Sequence, residues 1–210
     1  MTALDEAAVA RYLADCGATE AAQPGLWAWL EGITAWNRRI DLTAARDEDE
    51  LLDLMLADAI TIAELLPRRE PAQKVVDVGT GAGAPGLPLA LLRPDLAVTL
   101  VEPLQKRVAF LRVTQGRLAQ LGGPSFALQR GKGEAVRERF DVALSRATLA
   151  PPAWLALGAR LAPQGEVLVL LAREPAPEPP EGMALLDDHR YRWPRSGAER
   201  RLLRYGRMGE

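Results

Sequence analysis

The spacing of apolar residues changes character near residue 70. Before that point it follows helical periods. Residues 4–16 have helix-forming composition. Leu26, Trp29, Leu30, Ile33, Trp36 and Ile40 stand three and four apart, which predicts an amphipathic helix over 24–40. Pro24 suits its first turn. Asp47, with Glu50 three residues on, predicts a capping box for a helix running to about Leu66, ahead of Pro67. After residue 73 the apolar positions come in short runs bounded by turns. They predict strands at 74–78, 97–101, 125–129, 140–144 and 166–171. Helices are expected between the first two strands, over 104–121 and over about 152–161. Leu104, Val108, Leu111 and Leu118 mark one face of the second of these helices. Residues 174–182 contain Pro175, Pro177, Pro179 and Pro180, a stiff loop. Residues 184–193 and 200–206 then predict an antiparallel pair.

Strands alternating with helices predict a parallel sheet covered on both faces. A helical region over 1–70 and a sheet domain over 71–210 follow from the change of period. The closing hairpin is unlike a simple Rossmann dehydrogenase. It suits an α/β seven-stranded, Rossmann-like sheet of the class I methyltransferase kind, whose last strand inserts antiparallel.

The stretch Val75 to Pro88 carries the most chemistry. Val75 to Val78 form a short apolar run holding one acid, Asp77, and then come Gly79, Gly81, Gly83 and Gly86. A buried strand, a glycine turn and a helix N-terminus make a nucleotide-type pocket. Read from Gly81, Gly-Ala-Gly-Ala-Pro-Gly fits the dinucleotide spacing. The turn alone suits NAD, S-adenosylmethionine or a structural bend. Asp77 inside the strand favours S-adenosylmethionine, because a ligand with an amino group and a sulfonium charge wants a carboxylate where a pyrophosphate does not. In open α/β sheets ligands bind at the carboxyl ends of strands. That rule puts Gly79–Gly83, Glu102, Gly133-Glu134 and Ser145-Arg146 on one rim. Glu102, 23 residues after Gly79, is placed to accept two ribose hydroxyls. Glu134 sits in a loop able to close over an adenine. Arg146 is placed to hold a phosphate or the cofactor's carboxylate. Asp141, at the start of its strand and away from the rim, reads as structural.

Composition narrows the field. One cysteine, Cys16, and one histidine, His189, exclude a disulfide framework, Cys-based zinc sites and His-His metal motifs. Cys16 reads as a core residue and His189 as a surface one. No metal site is expected. No apolar run approaches the roughly 20 residues of a membrane span, and the N-terminus lacks a signal-peptide layout. The expectation is a cytoplasmic, monomeric protein that does not meet the membrane. Residues 1–70 carry 6 Lys/Arg and 14 Asp/Glu, residues 71–210 carry 20 and 14. A basic working face on the second part and chance composition explain that asymmetry equally well.

The run Asp77 to Leu89 with Arg93-Pro94, Leu104 to Leu111, Gly131 to Glu134 and Ser145-Arg146-Ala147 resembles the glucose-inhibited division protein B family. Trp36 to Ala44 with Arg46-Asp47 resembles the family's N-terminal motif, and Ala198 to Leu203 its last strand. That family comprises the bacterial small-subunit (16S) ribosomal RNA guanine-N7 methyltransferases. The resemblance implies S-adenosylmethionine as cofactor and ribosomal RNA or the small ribosomal subunit as partner. It implies cofactor contacts at Gly79 and Ala84, at Gly133-Glu134 beside adenine, and at Arg146. With Asp77, Thr80, Gly81 and Glu102 these complete the candidate site. Two positions depart from the family pattern. Met55 stands where the family has His, and Leu171-Ala172 where it has Lys-Gly, with Arg173 one step later.

Guanine N7 offers a lone pair and no proton, so methylation there needs alignment rather than a general base. No catalytic side chain is therefore assigned. Lys106, Arg107, Arg112, Arg146, Arg173 and the arginines of 190–207 are candidates for phosphate contact. Three other readings stay open: a small-molecule methyltransferase, a cofactor- or ribosome-binding relative without turnover, and a dinucleotide oxidoreductase.

Overall fold

A computed structural model describes residues 4–207. Seven strands form one sheet in the order β3-β2-β1-β4-β5-β7-β6. The strands are β1 Lys74–Val78, β2 Ala97–Glu102, β3 Ala127–Arg130, β4 Val142–Ser145, β5 Glu166–Leu171, β6 Met183–Arg192 and β7 Glu199–Arg207. The first five run parallel, and β7 lies antiparallel between β5 and β6. Strand order reverses between β1 and β4, which opens a ligand crevice at their carboxyl ends.

The central parallel strands are mostly apolar because both faces are covered, with Asp77 and Glu102 as buried exceptions. Val75, Val98, Val142 and Leu168 pack into one core, while Val76, Val101, Ala143 and Val167 pack into the other. The first core lies under α1 (Glu6–Asp15), α2 (Gln23–Trp36), α4 (Asp58–Leu65), α5 (Gly86–Leu92) and α6 (Gln105–Gln120). The second lies under α7 (Pro151–Leu161). The first core runs without a break from Val9 and Trp29 to Leu100 and Leu202. The N-terminal helices and the sheet therefore share one interior.

Strands β3 and β4 begin two residues later than expected, and four further details differ from the sequence-based expectation, each for a local reason. The helix α2 stops at Trp36 rather than 40. Asn37 folds back on the chain, accepting from the Leu42 and Thr43 amides at 2.8 and 3.0 Å and donating to the Thr43 carbonyl. Three bonds from one side chain out-compete continued helix. Asp47 caps α3 (Glu48–Leu52) through the Glu50 amide, but Glu50 reaches back to Arg46 rather than to Asp47. The helix from 48 to 65 contains one π-turn, Asp53–Ala57. It places two buried acids, Asp53 and Asp58, five residues apart along the helix. Leu104 is not on the buried face of α6. It sits at the N-cap, 54 % exposed.

The candidate active site

The glycine turn is built from beneath by Asp77. Its Oδ2 accepts from the Thr80 hydroxyl at 2.6 Å and from the Gly86 amide, the first of α5, at 2.9 Å. One carboxylate thus pins both ends of the turn. Its Oδ1 is buried without a partner. Burial pushes the Asp77 carboxyl up to about 6, against the pull of the Thr80 and Gly86 hydrogen bonds and of Arg146. Gly79, Gly81 and Gly83 all take positive φ, 73°, 63° and 115°. A Cβ on Gly79 would lie 2.2 Å from Thr148 Oγ1, whereas one on Gly81 would meet nothing nearer than Arg107 Nη1 at 3.9 Å and would project into open space. Gly79 is required by packing and by its φ, whereas Gly81 is required by its φ alone and leaves open space over the turn.

Glu102, at the end of β2, accepts from the Gly81 amide at 2.9 Å with one oxygen and from the Leu104 amide at 2.8 Å with the other. Each oxygen keeps a second lone pair. Alternation along the strands sets Asp77 and Glu102 on the same face of the sheet as Val75 and Leu100. Arg146 leaves the end of β4. Its Nη1 donates to Asp58 Oδ2 at 3.0 Å and to the Leu54 carbonyl. The next residue, Ala147, takes φ 53°, unusual for a residue with a Cβ. That bend lets Thr148 return over β1 and donate to the Val78 carbonyl.

A cavity of about 580 Å³ opens over this turn. Of the candidate residues, Gly79, Thr80, Gly81, Ala84, Glu102 and Arg146 line it. Asp77 does not: it is fully buried and acts through the turn. Gly133 and Glu134 stand outside the lining, in a short 3-10 turn, Gly133–Ala135. They remain close, since the Gly131 amide donates to the Glu102 carbonyl. Asp141 lies at the opposite end of the sheet, bonded to the Lys74 amide.

Sequence reasoning missed part of the wall. Thr43 and Ala44, beyond α2, and Met55, in the π-turn, complete the cavity from the N-terminal side. Met55, at the family's His position, is therefore a cavity residue. A second cavity, of about 260 Å³, shares Leu54, Arg146 and Ala147 with the first. Trp154, Leu171, Tyr191 and Trp193 supply its apolar wall, with Asp58 beneath. Asp58 Oδ1 accepts from Tyr191 Oη at 2.7 Å and Trp193 Nε1 at 2.8 Å while Oδ2 holds Arg146. Burial and the Asp58 charge push the Tyr191 phenol far above its ordinary value, so it stays a donor. A Tyr-x-Trp pair in the last hairpin and an acid 133 residues earlier carry no local signal of such a contact.

This geometry suits a cationic, amino-acid-bearing nucleoside. Two carboxylates on one face underlie the turn, Gly81 leaves a cradle, and the volume falls in the ~300–1,000 Å³ range of small-molecule sites. The family model described as rRNA small subunit methyltransferase G, GidB, matches residues 23–185. The chain belongs to the GidB family. A GidB relative from Anaeromyxobacter dehalogenans (strain 2CP-C), named ribosomal RNA small subunit methyltransferase G, is 37 % identical over 197 residues, 89 % of each chain. One of the same name from Neisseria gonorrhoeae (strain NCCP11945) is 41 % identical over 130 residues, 61 % of this chain and 60 % of that one. Among solved structures, magnesium protoporphyrin IX methyltransferase from Synechocystis PCC 6803 with bound SAH aligns with a TM-score of 0.61 at 15 % identity. It covers 84 % of this chain and 94 % of that one. TYW2 of M. jannaschii in complex with AdoMet aligns at 0.52 and 14 %, over 72 % and 75 %. These two likenesses show the fold. As a GidB member, the chain is an S-adenosylmethionine-dependent methyltransferase with a class I sheet. No helix among its described residues is long and apolar enough to cross a membrane.

Proposed function

We propose that this GidB protein methylates ribosomal RNA of the small subunit, at N7 of a guanine, by direct displacement. The observation that carries the reading is the pair of adjoining cavities, one over the glycine turn and one behind Arg146, with Arg146 in the wall of both. The relatives named for small-subunit ribosomal RNA methylation support the substrate class. The N7 position rests on the sequence resemblance.

In this reading Gly79, Thr80, Gly81, Ala84 and Glu102 hold S-adenosylmethionine, which supplies an electrophilic methyl group when bound. Asp77 keeps the turn in shape and contributes negative charge from below. Gly133 and Glu134 meet the adenine edge. Arg146, fixed by Asp58, orients the groups that meet where the cavities join. The flat apolar wall of Trp154, Leu171 and Trp193 takes the acceptor base and excludes water. Alignment and desolvation carry the rate, and no side chain need remove a proton. A ribosomal substrate supports a cytoplasmic site of action.

The test is transfer of labelled methyl to small ribosomal subunits isolated from cells lacking this protein, followed by nucleoside analysis. The expected product is 7-methylguanosine. Cofactor binding without transfer to any ribosomal particle would sink the substrate assignment.

A further inference from the structure

A third cavity, of about 200 Å³, extends the row along the same rim. It shares Ala172, Tyr191 and Arg200 with the second cavity, and Arg190, Arg192, Glu199 and Arg201 complete it. Ion pairing sorts these arginines. Arg192 is matched by Glu199 at 2.7 Å. Arg201 grips Asp188 with two bonds, 3.0 and 2.8 Å. Arg190 faces Arg201 across the β6–β7 register and has no ion-pair or hydrogen-bond partner among the described residues. Arg200 lies over the Trp193 ring at 3.7 Å and donates only to the Glu199 carbonyl. Glu199 is taken up by Arg192, so among the described residues neither Arg190 nor Arg200 has a carboxylate within ion-pair distance, although Asp188 and Glu174 stand near enough to feel their charge. Beyond β5, Arg173 lines neither cavity, and Glu174 lines the second one, where it accepts from the Ala172 and Arg173 amides.

We propose that Arg190 and Arg200 bind a phosphodiester of the RNA next to the nucleotide whose base enters the second cavity. The proposal rests on the ribosomal RNA reading above. The rim offers methyl-donor cavity, base cavity and cationic cavity in a row, so a base lying in the second cavity beside the methyl donor carries its sugar and phosphate toward the third. Phosphate oxygens match the planar fork of arginine. Stacking on Trp193 fixes the plane of Arg200 before RNA arrives, so less freedom is lost on binding. Arg192 and Arg201, already neutralised, shape the cavity instead.

Arg190 is exposed and its side chain makes no ion pair or hydrogen bond among the described residues, so its replacement leaves the fold intact and is the decisive variant. Arg190→Ala and Arg190→Glu are compared with wild type and with Arg137→Ala, an exposed arginine lining none of the three cavities. The readouts are kcat and KM for small ribosomal subunits between 50 and 200 mM salt, and calorimetric affinity for S-adenosylmethionine. Arg190→Ala is expected to raise KM about tenfold, the worth of one charge-assisted contact. Its kcat and cofactor affinity should stay unchanged. The slope of log(kcat/KM) against log salt should become shallower by about 0.7 to 0.9. Arg190→Glu should raise KM further. An unchanged KM and slope in Arg190→Ala, or an equal change in Arg137→Ala, overturns the phosphate site while leaving the substrate reading standing. A wild type that binds cofactor but methylates no subunit overturns both.

Discussion

The indole Nε1 of Trp29 donates to the carbonyl of Ala82 at 2.8 Å. A helix 53 residues earlier in the chain thus holds the glycine turn from outside the sheet. Trp29→Phe keeps most of the buried ring and leaves the Ala82 carbonyl unpaired, a cost of about 1–3 kcal/mol. Denaturant unfolding should show that loss, and calorimetry should show weaker S-adenosylmethionine binding. A variant that loses stability but binds cofactor as wild type would show that the bond serves only the fold.

Gly79 has a steric and a conformational requirement at once. Gly79→Ala brings a Cβ within 2.2 Å of Thr148 Oγ1 and adds left-handed strain, the latter worth about 1–2 kcal/mol. Cofactor binding should fall below detection in calorimetry. Adding Thr148→Ala removes the two shortest contacts but leaves a Cβ–Cβ approach of 2.9 Å and the strain, so the double variant should regain only part of the stability. No recovery would mean that the φ of 73° and the remaining contact dominate.

Asp58 joins the last hairpin to Arg146. Asp58→Asn cannot keep a charge opposite Arg146 and must turn its amide toward one of three donors. Loss of a buried partner of this kind costs about 3–5 kcal/mol. Tyr191→Phe removes one donor only and should be milder, about 1 kcal/mol. Methylation assays should show the larger fall in kcat for Asp58→Asn. Equal rates in wild type and Asp58→Asn would remove Arg146 orientation from the mechanism.

Asp77 predicts a pH dependence. Its folded value, about 6, lies above the ordinary 3.8. Between these values the folded state binds the proton more readily, so protonation favours folding. Stability from this group declines as pH rises through that window, and the burial cost is full above pH 6. The total is on the order of 3 kcal/mol. Unfolding of wild type and Asp77→Asn at pH 4 and pH 7 should show wild type losing that amount relative to the variant. A constant difference would mean Asp77 does not titrate in this range.

Much of this architecture was legible in the chain because it is local. Periodicity located Lys74–Val78 and Glu166–Leu171 to the residue. The glycines after Asp77 marked a turn that only their φ values permit, and a closing hairpin was written in residues 184–206. The GidB resemblance was legible for the same reason, since its motifs are continuous runs. Tertiary structure alone decided how distant segments meet. Nothing near Asp58 announces Tyr191, Trp193 and Arg146, and nothing near Thr43 or Met55 announces a cavity wall. It also separated arginines that look alike in sequence, since charge is a property of the residue but neutralisation depends on which acid lies within reach. Hydrogen bonds and ion pairs act over a few ångströms of space, whereas a sequence pattern records only neighbours along the chain.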